Sequence, residues 1–139
     1  GVEKNIPYPG MKEALLRLRD AGKVLCVATS KPEPFARAIA DRFGLAECFD
    51  FVGGASLDDT RTKKAAVIEY VLASVGSPEP EQVLMVGDRK FDVLGAKECG
   101  IDCVGVEYCG YADPGELEAA GAVAVVKTVE ELEQFILTH

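Results

Sequence analysis

Val83-Leu84-Met85-Val86-Gly87-Asp88-Arg89-Lys90-Phe91-Asp92 is the stretch on which the fold turns. Its first four residues are apolar without alternation, the pattern of a strand buried on both faces of a parallel sheet. Gly87 then opens a short polar loop, and a helix around Asp92 to Cys99 stops at Gly100. A buried strand that passes through a short loop into a helix is half of a βαβ unit.

The same sequence of patterns recurs on both sides. Upstream, Met11, Ala14, Leu15 and Leu18 mark one face of a helix that ends before Gly22. Val24 to Ala28 is a second continuous apolar run, and the loop Thr29-Ser30-Lys31-Pro32 leads to a helix carrying Phe35, Ile39 and Phe43, ended by Gly44. Phe49 to Val52 reads as a short strand closed by Gly53-Gly54, and Ala65, Ile68, Leu72 and Val75 as a third helix ended by Gly76. Downstream, Cys103 to Val106 and Ala122 to Val126 are strands. Thr128 and Glu131 form a capping box for a last helix with Leu132, Phe135 and Ile136. The alternation predicts an α/β fold, a three-layer α/β/α Rossmann-like core on a parallel sheet, with residues 1–139 in one domain.

Composition removes several classes of function. The chain has 139 residues, 48% hydrophobic and 27% charged, enough apolar content for a packed core. Its 15 Lys+Arg against 23 Asp+Glu give a net charge of −8, which argues against nucleic acid or an anionic membrane as partner. No apolar run approaches the ~18 residues of a membrane span, and no basic-then-apolar leader opens the sequence. The only histidine is His139, the last residue, so Ser-His-Asp hydrolysis and His-ligated zinc are poor readings. Five cysteines (Cys26, Cys48, Cys99, Cys103, Cys109) form no C-x-x-C pair and read as reduced thiols in a cytoplasmic protein. Chemistry here rests on Asp, Glu, Lys, Ser and Thr.

In open parallel sheets, ligands bind beyond the carboxyl ends of the strands. Thr29-Ser30-Lys31-Pro32 offers hydroxyls and backbone N–H groups to an anionic oxygen, although Thr29 or Ser30 could equally cap the next helix. Asp88 and Asp92, four residues apart, could turn two carboxylates to one side and suit Mg²⁺; as an alternative, Asp88 caps the helix and Asp92 sits in its first turn. Between these loops, Asp58-Asp59-Thr60-Arg61-Thr62-Lys63-Lys64 places lysine at a helix start, against the helix dipole. That misfit suggests an electrostatic duty toward phosphate, while Arg61 and Lys63 also fit a plain solvated loop.

Taken in order, these three pieces resemble motifs II, III and IV of the haloacid dehalogenase-like hydrolases. Pro7-Tyr8-Pro9-Gly10, Thr29-Ser30-Lys31-Pro32 and the run Met85 to Ala96 are similar to the phosphoglycolate-phosphatase-like branch. The resemblance implies that the Thr29 hydroxyl and the Ser30 backbone N–H hold the phosphoryl group. It implies that Lys64, or the adjacent Lys63, offsets charge, that Asp88 ligates Mg²⁺, and that Asp92 does so directly or through water. It further implies a small phosphorylated substrate hydrolysed through an aspartyl-phosphate. The family's motif I, D-x-D-G-T, is missing from these 139 residues, as is the helical cap that follows it. The chain therefore reads as the C-terminal core portion of a phosphatase, without its central strand and inactive alone. A silent fragment or phosphate- and Mg²⁺-binding regulatory module is the rival reading. Strand edges left by the missing strand would favour association with another chain. A nucleotide-binding Rossmann domain is disfavoured because no G-x-G-x-x-G follows a strand.

Overall fold

The computed structural model describes residues 10–58, 60–107 and 113–139. Within it the chain forms two compact units, Gly1–Gly76 and Ser77–His139. Pro7, Tyr8 and Pro9 of the phosphatase-like stretch, Asp59 and Cys109 lie outside the described residues.

In the first unit, helix α1 (Met11–Asp20) buries Ala14 and Leu18, the face expected from its spacing, and packs on a single 3-10 turn at Ala46–Cys48. Strands β1 (Cys26–Pro32) and β2 (Phe51–Ala55) pair in parallel, with Cys26 opposite Phe51 and Ala28 opposite Gly53. Helices α2 (Glu33–Arg42) and α3 (Lys64–Ser74) pack on this two-stranded sheet.

Five expectations change here. β1 begins two residues later than its apolar run, because Val24 precedes the first ladder pair and stands 65% exposed. β1 also runs on through Thr29 to Pro32, and its residues are half-buried or exposed rather than buried on both faces. β2 passes through Gly53 and Gly54 instead of ending before them. A Cβ on Gly53 would overlap the Val71 side chain, and one on Gly54 would lie 2.5 Å from the Lys31 carbonyl oxygen, so these glycines permit close packing rather than a turn. Finally, α2 turns Ala36 and Ala40 into the core and leaves Phe35 exposed, with the Lys31 ammonium 5.5 Å from its ring. Small residues let this helix lie close on the sheet, whereas α3 buries Val67, Ile68 and Val71, so that of its expected stripe only Ile68 is buried.

In the second unit, β3 (Leu84–Gly87), β4 (Asp102–Val106) and β5 (Ala124–Val126) form a parallel sheet in that order, Met85 opposite Cys103 and Val104 opposite Ala124. Helix α4 (Lys90–Glu98) packs on β3 and β4, a short α5 (Glu116–Ala120) packs on α4 and β5, and α6 (Val129–Thr138) packs on β5. The last helix starts as its capping residues predict: Glu131 N–H donates to Thr128 Oγ1 at 3.0 Å. The sequence pattern gave no sign of α5. Its Leu117 is fully buried against the glycine of β4: a Cβ on Gly105 would lie 2.9 Å from Leu117 Cδ1. β3 was also expected to be buried throughout, yet Val86 is 38% exposed. Among the described residues, β3 pairs only with β4, and β1 and β3 belong to separate sheets. The fold class is α/β with parallel sheets and crossover helices, as the alternation predicted.

Candidate active site

The first unit gathers its candidate residues where the regular pairing of β1 with β2 breaks after Ala28, and the second just past the carboxyl end of β3. In the first unit, Thr29 is half-buried and Ser30 exposed. Neither caps α2, whose N-cap position is Pro32 with no side-chain bond to the helix. Thr29 Oγ1 accepts instead from the Lys31 N–H at 3.2 Å, which fixes the hydroxyl oxygen against the backbone two residues on. The two lysines of the 58–64 segment separate cleanly. Lys63 is the exposed N-cap residue of α3. Lys64, the first residue of that helix, is half-buried and its ammonium donates to the Ala28 carbonyl at 3.2 Å. Ala28 immediately precedes Thr29, so this bond carries a positive charge to the point where the regular pairing of β1 with β2 breaks.

Arg61 departs from the solvated-loop reading. Its guanidinium donates through Nε to the Gly54 carbonyl at 2.9 Å, lies 3.6 Å from Glu33 and stacks 3.6 Å from the centroid of the Tyr70 ring. A shallow cavity of about 370 Å³ opens beside it past the end of β2, walled by Pro34, Ala55 and Leu57.

In the second unit, Asp88 is half-buried directly after β3, and Asp92 is buried at 7% exposure. Asp88 does not cap α4. That position belongs to Arg89, and the Asp92 carboxylate receives the backbone N–H groups of Asp88 and Arg89 at 3.1 and 3.4 Å. Asp92 thus braces the turn that presents Asp88. Gly87 is what allows this, since any Cβ there would collide with the Asp92 side chain. Asp92 therefore matches the helix-start reading, and it is also close enough to the loop to support a metal ligand at Asp88.

Glu116, at the start of α5, was not singled out from sequence; nothing in its local pattern distinguishes it from any acidic first-turn residue. Its carboxylate accepts from Arg89 Nε at 2.8 Å, Lys90 N–H at 2.7 Å and Asp113 N–H at 3.2 Å, tying α5 to the Asp88 loop. The Arg89 hydrogen bond, then the Lys90 N–H, hold the Glu116 carboxyl down at about 2, against an ordinary 4.5. A carboxyl whose folded pKa is depressed stabilises the fold fully above its unfolded value and loses that contribution as pH falls through the folded one. Glu116→Gln should therefore lower Tm at pH 7. The difference from the parent chain should shrink between about pH 4.5 and about pH 2. A difference that stays constant over that range would contradict the assignment.

Among the described residues, no three His, Cys, Asp or Glu side chains converge as a metal cage. Asp88 with Asp92 is nonetheless a hard-oxygen pair of the kind that fits Mg²⁺, which takes one or two protein carboxylates and completes its shell with water and substrate phosphate.

A family model described as haloacid dehalogenase-like hydrolase matches residues 1–100, which include Thr29, Lys64, Asp88 and Asp92. The chain belongs to the haloacid dehalogenase-like hydrolases. It is 39% identical over 139 residues to a 5'-nucleotidase of Pseudomonas aeruginosa, covering all of this chain and 62% of that protein. It is 41% identical over 135 residues to the tyrosine-protein kinase PtkA of Mycobacterium tuberculosis, 96% of this chain and 46% of the relative. It is 32% identical over 131 residues to a phosphoglycolate phosphatase of Pseudomonas putida, 94% and 47% respectively. The crystal structure of a predicted phosphatase from Clostridium acetobutylicum superposes with a TM-score of 0.90 at 39% identity, covering 95% of this chain and 60% of that one. The chain thus spans roughly half to three fifths of the haloacid dehalogenase-like relatives it matches.

Proposed function

We propose that this chain supplies the phosphate- and Mg²⁺-binding part of a phosphoric-monoester hydrolase of the phosphoglycolate-phosphatase-like branch. The observation that carries the reading is the Lys64 ammonium fixed on the Ala28 carbonyl, one residue before the Thr29 hydroxyl. A cation and a hydroxyl at one break in the β1–β2 pairing suit the charge that gathers on a phosphoryl group as it is transferred. In this reading Thr29 donates its proton to a phosphoryl oxygen and the Ser30 N–H donates to another. Lys64 offsets the negative charge of both the phosphate and the attacking carboxylate. Asp88 would hold Mg²⁺, and Asp92, whose carboxylate fixes the loop by accepting from the Asp88 and Arg89 N–H groups, would hold it directly or through water. When bound, Mg²⁺ would neutralise phosphoryl oxygen charge. The nucleophile is an aspartate on a D-x-D-G-T strand, which none of these 139 residues provides. Attack on phosphorus by that carboxylate releases the alcohol, and water then hydrolyses the aspartyl-phosphate.

The substrate in this proposal is a small phosphate ester. The setting is a reducing, cytoplasmic one, in keeping with five cysteines that form no C-x-x-C pair. No helix among the described residues is long and apolar enough to cross a membrane. Half-exposed strand residues such as Val86 leave self-association through a sheet edge as part of the proposal. The lack of D-x-D-G favours one competing reading, a module that holds phosphate and metal without turnover.

The test is phosphate release from phosphoglycolate, a nucleoside monophosphate and a phosphotyrosine peptide, by this chain paired with a D-x-D-G-T segment. Release should need Mg²⁺, stop with EDTA and return when Mg²⁺ is restored. Release that a chelator leaves untouched would remove Asp88 and Asp92 from the proposed metal site.

A further inference from the structure

β1 and β2 stay in step from Cys26 opposite Phe51 to Ala28 opposite Gly53, and again at Pro32 opposite Ala55. Between those pairs, Thr29, Ser30 and Lys31 of β1 stand against Gly54 alone, so the register gives Gly54 no partner in β1. Backbone groups at such a gap need other partners. Two side chains supply them. Glu33 Oε1 accepts from the Gly54 N–H at 3.3 Å, and Arg61 Nε donates to the Gly54 carbonyl at 2.9 Å.

The two side chains are themselves fixed. They meet at 3.6 Å, each mostly buried. The Arg61 guanidinium lies over the Tyr70 ring, 3.6 Å from its centroid. Arg37 approaches the other Glu33 oxygen at 3.4 Å. The bulge is folded directly over this assembly: a Cβ on Gly54 would sit 2.5 Å from the Lys31 carbonyl oxygen and 2.7 Å from Glu33 Cα. Glu33 also lies only three residues beyond Ser30, so its negative charge would oppose an anion at the bulge unless compensated. Arg61 and Arg37 compensate it.

We infer that Glu33 and Arg61 are positioning residues, which replace the missing ladder partner of Gly54 and thereby hold the Thr29–Lys31 bulge in its phosphate-receiving shape. The inference rests on the phosphate role proposed above for Thr29 and Ser30. It goes beyond that role because it assigns the shape of the loop to two side chains outside it. Arg61 acts twice, as the donor to Gly54 and as the charge that quiets Glu33. Arg37 shares only the second duty, from a more exposed position.

The test is ¹H–¹⁵N NMR of the 139-residue chain titrated with inorganic phosphate, together with amide exchange in its absence. In the parent chain the Thr29 to Lys31 amides should shift on titration. Arg61→Gln should weaken phosphate binding about tenfold or more, as expected for losing a charged hydrogen bond. It should also speed Ser30 and Lys31 amide exchange while lowering Tm by no more than about 5 °C. Arg37→Gln should bind phosphate nearly as the parent does. Should Arg61→Gln fail to fold, Arg61→Lys, which keeps the charge but not the planar donor, should still speed exchange at Ser30. Unchanged loop exchange and unchanged phosphate affinity in the folded Arg61 variant would overturn the inference. If the parent chain shows no phosphate shift at Thr29 to Lys31, the phosphate reading fails. The clamp is then decided by exchange alone, accelerated in the variant if it exists and unchanged if it does not.

Discussion

Asp88→Asn, in an active protein that pairs this chain with a D-x-D-G-T segment, should lower kcat by roughly 100-fold or more while leaving the fold intact. Asp88 follows β3 directly, and its backbone N–H is tied to the buried Asp92 carboxylate. Asparagine keeps the shape of the side chain and removes the charge that Mg²⁺ requires. Were Asp88 only a helix cap, asparagine would serve equally well, because the two cap alike. The structure already gives the N-cap position of α4 to Arg89. Activity measured against Mg²⁺ concentration, with circular dichroism as a folding control, separates the readings. Full activity at an unchanged Mg²⁺ requirement would return Asp88 to a structural role.

The second large effect belongs to the adjacent lysines. Lys64→Ala should cost about 10² to 10³ in kcat, the range for removing one preorganised donor from a transition state, whereas Lys63→Ala should stay near the parent value. The resemblance favours Lys64, with Lys63 as the adjacent alternative. The structure orders the pair: Lys63, the extended N-cap residue, is exposed, while Lys64, the first residue of α3, donates to the Ala28 carbonyl. Comparing kcat of the two variants on one aryl phosphate is sufficient. The reverse ranking would mean that the charge on the phosphoryl group comes from Lys63.

What could be read from the sequence follows from how local its causes are. The strand, loop and helix from Val83 onward were legible because an apolar run, a glycine and a polar loop each carry their own signal within ten residues, although Val86 is exposed. The Thr128 cap was legible for the same reason, and the structure shows its bond to Glu131. The buried face of α2 was not. Phe35, Ile39 and Phe43 share a stripe, yet close approach to a narrow sheet selects Ala36 and Ala40. Gly53 and Gly54 carried two opposite meanings, a turn or a close contact. Only the positions of Val71 and Lys31 decide for contact. Arg61 looked like a loop charge because its partners, Glu33, Gly54 and Tyr70, come from three separate elements. Glu116 was missed on the same ground, its partners Arg89 and Lys90 lying more than 25 residues upstream.

The most direct measurement of the central claim is phosphate release from an aryl phosphate in saturating Mg²⁺. It is made on the pure 139-residue chain beside the same chain joined to a D-x-D-G-T segment. The account predicts no turnover above background from the chain alone and Mg²⁺-dependent turnover from the joined protein. Appreciable Mg²⁺-dependent hydrolysis by the 139 residues themselves would contradict it, because a nucleophile would then have to lie among residues that the account assigns only to binding.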